Sequence, residues 1–243
     1  MTLGAPLHEL AQTTSTNDEA KRAAKEGAPH GATWVADVQT AGRGRQGRTW
    51  TAAPGEALLF SVIVRVPCVP ARLPPLALVA GLAVRDAVAR VVPCRVQMKW
   101  PNDVVVGDAR RKIAGILVEA SLAGSNVEAV IVGIGVNVHT RAFPDEIADR
   151  ATSIELAGGT TTRRALMDDI LASLDRDVPL AAARGLAPLQ ARIAAADALR
   201  GERVRSDAGE GVAEGIDADG RLVVRGDDGV IARWSAGEVH LVR

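Results

Sequence analysis

The chain has 243 residues, 47% hydrophobic and 24% charged, enough for one sizeable core and a small second unit. Its 29 basic and 29 acidic side chains cancel, which excludes the basic excess of a dedicated nucleic-acid-binding domain. The N-terminal residues show no basic run ahead of an apolar stretch, and Arg85, Asp86 and Arg90 interrupt the longest apolar stretch, so neither a secretion signal nor a membrane span is expected.

In chain order, Ser15-Thr16-Asn17-Asp18-Glu19 reads as a helix start, with a Ser or Thr N-cap and acids in the first turn. Gly27 and Pro29 stop that helix. Thr33 to Gln39 reads as a strand, Gly42 to Trp50 as a charged loop, and Ala57 to Val64 as a buried strand. Leu73 to Val92 is predicted helical, with Pro74-Pro75 near its start and Pro93 beyond its end. Short strands follow at Arg95 to Lys99, Val104 to Val106, Lys112 to Glu119 and Glu128 to Val138, then helices at Arg163 to Val178 and Pro188 to Leu199. From Arg200-Gly201 five short apolar segments alternate with Asp-Gly turns, the pattern of a small SH3-like β-barrel. The fold expected is α/β (α+β): residues 1–199 with a mixed β-sheet covered by helices, and residues 200–243 as the barrel.

The loop Gly42-Arg43-Gly44-Arg45-Gln46-Gly47-Arg48-Thr49-Trp50 is the most informative segment. Glycines let its backbone approach a ligand, and arginines offer forked donors to phosphate or carboxylate oxygens. It is expected to be mobile until an anion draws it in. Gly42, Gly44 and Gly47 fit G-x-G-x-x-G, but a strand follows where a dinucleotide-binding turn needs a helix. A Walker A loop is excluded, since no Gly-Lys-Ser/Thr follows.

Only four lysines occur, and Lys99 and Lys112 fall in two further chemical segments. Lys99-Trp100-Pro101-Asn102-Asp103-Val104 sets a cation, an amide and a carboxylate around a turn. Asn102-Asp103 either belongs to a site or closes a hairpin. Arg111-Lys112-Ile113-Ala114-Gly115-Ile116-Leu117-Val118-Glu119 opens with Lys112, which is either functional or a solvated strand-edge lysine, and Gly115 leaves room for another group near the backbone. Cys68 and Cys94 form no C-x-x-C and read as buried small hydrophobes in a reducing compartment, so the cytoplasm is expected. The four histidines lack metal-ligand spacing, so no metal ligand is assigned.

Taken together these segments resemble the biotin protein ligases. The arginine loop, Lys-Trp-Pro-Asn-Asp and Lys-Ile-Ala-Gly-Ile-Leu-Val-Glu match that family's motifs in order, as do Ser15-Thr16-Asn17, Gln39, Gly133-Ile134-Gly135-Val136-Asn137 and Trp234-Ser235-Ala236-Gly237-Glu238-Val239. The resemblance implies a class II aminoacyl-tRNA-synthetase-like catalytic domain. It implies an enzyme that joins biotin to ATP as biotinyl-5′-AMP, with Mg²⁺, and passes biotin to a lysine of a biotin carboxyl carrier protein. Ser15, Thr16, Asn17 and Gln39 then bind biotin, and Arg43, Gly44 and Arg45 close on biotin and adenylate. Lys112 contacts the reacting carboxyl and phosphate, with Arg43 and Arg45 as the other catalytic cations, and Gly115 lies beside it. Lys99, Asn102 and Asp103 shape the nucleotide side, and Trp50 and Asn137 border the adenine. Only fourteen residues precede Ser15, so the winged helix-turn-helix of the bifunctional repressors is not expected, nor is specific DNA binding. Monomer and homodimer both stay open. The rival readings are a lipoate or octanoyl ligase or transferase of the same fold, and a non-enzymatic phosphate or nucleic-acid binder.

Overall fold

The computed structural model describes residues 2–66, 73–123 and 126–242. Cys68 lies outside them, and Cys94 is half-buried against the core, not fully enclosed.

Seven strands form a mixed sheet in the order β1-β2-β3-β7-β6-β5-β4. They are β1 (Leu7–Thr13), β2 (Thr33–Gln39), β3 (Ala57–Val64), β4 (Val96–Lys99), β5 (Asp103–Val106), β6 (Arg111–Ala123) and β7 (Asn126–Asn137). Only β1 runs parallel to its neighbour; the other pairs are antiparallel. Strand β1 was not expected. As an edge strand it keeps a mostly polar, exposed pattern that lacks clean alternation.

Period-two alternation divides β3 between two cores. Leu58, Phe60, Val62 and Val64 face the main core, with α2 (Leu73–Val88) and α3 (Arg163–Arg184). Ile63 faces a smaller core with Ala20 and Ala24 of α1 (Thr16–Lys25) and Ala129 and Ile131 of β7. Both faces are therefore covered here, which explains the unbroken apolar run. Helix α2 stops at Val88, four residues short of the expected end, and gives way to turns. Helix α3 overruns its expected end at Val178 through Pro179, carrying Ala181 into the core beside Val178. That burial offsets the backbone hydrogen bond a mid-helix proline removes. Of the expected helix over Pro188 to Leu199, the α-helical part is α4 (Gln190–Ala196).

The C-terminal segment forms a five-stranded antiparallel sheet, ordered β11-β10-β9-β8-β12: β8 (Arg203–Ser206), β9 (Gly209–Ile216), β10 (Leu222–Arg225), β11 (Ile231–Trp234) and β12 (His240–Leu241). Its buried residues, Val204, Ala213, Ile216, Leu222 and Trp234 among them, continue the main core. Trp100 Nε1 donates to the Gly220 carbonyl at 2.9 Å, pinning the β9–β10 turn to the end of β4.

A charged cluster joins three helices. The Asp177 carboxylate of α3 is 1% exposed and accepts from Arg176 and from Arg192 of α4, each at 2.8 Å. Arg192 also reaches Asp86 of α2 at 2.6 Å. Burial pushes the Asp177 pKa up, but the hydrogen bonds from Arg176 and Arg192 outweigh it and hold the carboxyl below its ordinary range. Its stabilisation is therefore present above the unfolded carboxylate value of about 4 and lost as pH falls through the lower folded value. Asp177→Asn is expected to cost about 1.5–3 kcal/mol in urea melts at pH 7. The gap from the parent should close under acid conditions.

Candidate active site

The cleft is built on one face of the sheet where three glycines leave the floor bare. Cross-strand pairing sets Ser61 beside Gly133 and Leu117 in one row, and Leu59 beside Gly135, Gly115 and Asp103 in the next. The side chains that lie over this floor need that bareness. A Cβ on Gly133 would come within 2.0 Å of Asn17 Oδ1; one on Gly135 or Gly115 would come within 2.8 or 2.9 Å of the Trp50 ring.

Lys112 reaches the same face through an irregularity. Residues 112 and 115 are three apart and would face opposite ways in a regular strand. The pairing of β5 with β6 slips between Val104 and Val105, which face Ala114 and Lys112, so the strand gains a residue at Ile113. Lys112 Nζ then lies 3.3 Å from where a Gly115 Cβ would be, and 5.6 Å from the Trp50 ring centroid. Its backbone is clamped to the neighbouring loop: N–H to the Arg150 carbonyl at 2.7 Å, C=O from Thr152 N–H at 2.9 Å.

One end of the cleft is rich in hydrogen-bond acceptors. Ser15 occupies the N-cap position of α1, yet its side chain makes no capping bond and is buried in the cleft wall. Gln39 Oε1 accepts the Thr16 N–H at 2.7 Å and lies 3.0 Å from Thr16 Oγ1. Ser61 Oγ lies 2.7 Å from Thr16 Oγ1 and 2.6 Å from Asn17 Oδ1. Asn17 Nδ2 donates to Glu119 at 2.8 Å, so its oxygen faces Ser61. Two hydroxyl protons and one backbone N–H thus serve a run of four oxygens, leaving lone pairs for N–H donors on a ligand.

The other end is cationic. Lys112 Nζ pairs with Asp103 Oδ1 at 2.7 Å. Asn102 is fixed to β6 by two bonds with Ile116, each at 2.9 Å, and offers its Oδ1 to Arg45 at 3.2 Å. Burial pushes the Arg45 pKa down, and burial likewise lowers that of Lys99, with Asp103 opposing and Lys112 adding to the effect. Glu238, from the C-terminal sheet unit, is occupied by an ion pair with Arg48. Lys99, Lys112 and Arg45 lie near Asp103, and Lys99 near Glu238 as well, so that with Arg48 four cations face two carboxylates, leaving positive charge for an anion.

The arginine loop closes over both ends. Gly44 N–H donates to the Arg48 carbonyl at 2.7 Å and Trp50 N–H to that of Gly42 at 2.9 Å, making a small hairpin. Gln46 and Gly47 turn its tip in the left-handed region, at φ of 55° and 73°. The two expected catalytic arginines part company. Arg45 lies at the cationic end, whereas Arg43 pairs with Asp18 at 2.6 Å and Glu119 at 2.8 Å, its charge already offset.

Ser15, Thr16, Asn17, Gln39, Arg43, Gly44, Arg45, Trp50, Lys99, Asn102, Asp103, Lys112 and Gly115 line this one cleft. Asn137 is not among the lining residues: it is buried, and its amide donates to the Thr152 carbonyl at 2.9 Å. Ser61 and Glu119 were not expected here; neither lines the cleft, but both hydrogen-bond Asn17, which does. A lone hydroxyl inside the apolar run of β3 was the signal for Ser61. The indole Nε1 of Trp50 is buried with no hydrogen-bond partner among the described residues.

Residues 9–137 match the Biotin/lipoate A/B protein ligase family and residues 201–242 the Biotin protein ligase C terminal domain. The chain is 35% identical to the biotin--[acetyl-CoA-carboxylase] ligase of Mycobacterium tuberculosis, over 97% of this chain and 89% of that protein. It is 34% identical to the Paracoccus denitrificans enzyme of that name, over 90% of this chain and 94% of the relative. Among solved structures, biotin protein ligase from Aquifex aeolicus in complex with biotin and ATP superposes with a TM-score of 0.82 at 30% identity, covering 98% of this chain and 99% of that one.

Proposed function

We propose the function from one premise: this chain belongs to the biotin/lipoate A/B protein ligase family, among the biotin protein ligases. It is an ATP-dependent ligase that activates biotin as biotinyl-5′-AMP and transfers biotin to a lysine of a biotin carboxyl carrier protein. The observation that carries this reading is the polarity of the cleft. Acceptors at the Ser15-Thr16-Asn17 end suit the N–H groups of a neutral ureido ring, and cations at the other end suit a carboxylate meeting a polyphosphate.

The biotin carboxylate attacks the α-phosphorus of ATP, forming a mixed anhydride and releasing pyrophosphate. Two anions must meet, so cations have to offset their repulsion and the charge of the transition state. Lys112 and Arg45 take that role at the junction, with Lys99, Asn102 and Asp103 on the nucleotide side. The indole of Trp50 lies over Gly115 and Gly135 beside Lys112, within this junction. In the second step the amine of the carrier lysine attacks the carbonyl carbon and AMP leaves.

Among the described residues no cluster of three His, Cys, Asp or Glu side chains stands ready to hold a metal ion. Mg²⁺ would come with the phosphates of ATP, and Asp103, paired with Lys112, is a carboxylate of the cleft at that end. The ion would neutralise phosphate charge there. Among the described residues no helix is long and apolar enough to cross a membrane, and a cytoplasmic enzyme is the reading we carry. We carry homodimerisation and the absence of specific DNA binding as further proposals. Sedimentation checks the first, and titration with duplex DNA at physiological salt the second.

The function is tested by mixing the protein with biotin, ATP and Mg²⁺. Biotin-dependent pyrophosphate release with retained biotinyl adenylate is expected; release without biotin dependence would contradict it. Biotin should also protect the bonds near Arg43 to Arg48 from trypsin, because an ordered loop resists cleavage. Equal nicking with and without biotin would show that the loop does not respond to its ligand.

A further inference from the structure

Glu119 ends the row of floor residues on β6, and its carboxylate is 19% exposed. It gathers donors from three places: Asn17 Nδ2 and Arg43 Nη2, both at 2.8 Å on Oε2, and Lys21 Nζ at 3.5 Å on Oε1. A carboxylate only accepts, so Glu119, helped by the longer contact to the Leu117 carbonyl at 3.4 Å, obliges the amide of Asn17 to present nitrogen to it and oxygen to Ser61. The same oxygen that orients Asn17 anchors the first arginine of the loop. Arg43 has a second anchor, Asp18 at 2.6 Å, which grips the guanidinium through a different carboxylate.

We propose that Glu119 is a positioning residue that couples recognition of the ureido ring to closure of the arginine loop. It acts through Asn17, whose amide orientation it fixes, and through Arg43, which it holds over the cleft; the proposal rests on the biotin reading above. A ligand N–H on Asn17 Oδ1 keeps that amide from flipping, so Glu119 stays aimed at Arg43 and the loop keeps its anchor. By reciprocity a closed loop strengthens the grip on biotin. Gln at position 119 would break both links, because it lacks the charge for Arg43 and its own amide can donate to a flipped Asn17.

The test compares the parent, Glu119→Gln, Asp18→Asn, Arg43→Gln and the Arg43→Gln/Glu119→Gln double variant, all as the full chain. Two quantities are read: kcat and KM for biotin in pyrophosphate release, and the escape rate of preformed biotinyl adenylate in a chase. Glu119→Gln is expected to raise KM for biotin about tenfold, with kcat falling no more than about threefold, and to speed escape about tenfold. Asp18→Asn should move escape more than KM. The double variant should escape no faster than the worse single one, because both substitutions cut the same link.

Parental KM and escape in Glu119→Gln would overturn the proposal. So would a loss confined to kcat and melting temperature, or single effects that multiply in the double variant. Should Glu119→Gln fail to fold, Glu119→Asp carries the same comparison, since it keeps the charge but is too short to hold both partners. A parent that releases no pyrophosphate on biotin would instead fail the functional reading, before any variant is compared.

Discussion

Lys112→Ala is expected to fold like the parent yet to form biotinyl adenylate about 10²–10³-fold more slowly, the range seen when a preorganised donor to developing charge is removed. The fold should survive because the loop clamp at this position uses only backbone atoms, the bonds to Arg150 and Thr152. The side chain spans open cleft between Asp103 and the Trp50 ring, not core. Lys112→Arg should rescue poorly, since a planar fork is a poor substitute for a compact ammonium between Trp50 and Gly115. Lys25→Ala, on an exposed helix end, serves as the control. If Lys99→Ala abolishes adenylation while Lys112→Ala does not, the reacting cation sits on β4.

Gly133→Ala is the second large effect. The added Cβ would stand 2.0 Å from Asn17 Oδ1, and that side chain is 4% exposed and bonded to both Ser61 and Glu119. It can move aside only by breaking those bonds. With the charge-assisted bond to Glu119 worth about 1.5–3 kcal/mol and the neutral bond to Ser61 about 0.5–1.5 kcal/mol, KM for biotin is expected to rise about a hundredfold. The expected KM for ATP stays within about threefold of the parent, because the nucleotide end lies across Gly135 and Gly115. Isothermal titration with biotin alone reads the same loss; unchanged affinity would place biotin elsewhere in the cleft.

Much of this was legible because the sequence states it locally. The β-branched run at Ala57–Val64 and the strand at Thr33–Gln39 have the bounds that apolar pattern gives them. The charged loop between them stood out through its composition, and it does line the cleft. What stayed hidden depends on tertiary placement. Edge strand β1 has no alternation to read, and Pro179 hides a helix continuation that only burial stabilises. Ser15 does stand at the N-cap of α1 as the sequence suggests, but without the capping bond that its side chain was expected to make. Nothing local marks the extra residue at Ile113, without which Lys112 would face away from Gly115. Arg43 and Arg45 look equivalent in a Gly-Arg repeat, and only the fold sends one to Glu119 and the other to Asn102. Asn137 adjoins the Gly-Ile-Gly stretch in sequence but turns its amide to Thr152.

The most direct test of the central claim is transfer itself. The purified protein is incubated with ATP, Mg²⁺ and a biotin carboxyl carrier domain, with biotin in one arm and lipoate in the other, and the carrier is weighed intact. The cleft described here predicts one biotinyl group on the carrier lysine in the first arm and an unmodified carrier in the second. An unmodified carrier with biotin, or equal modification by lipoate, would contradict it.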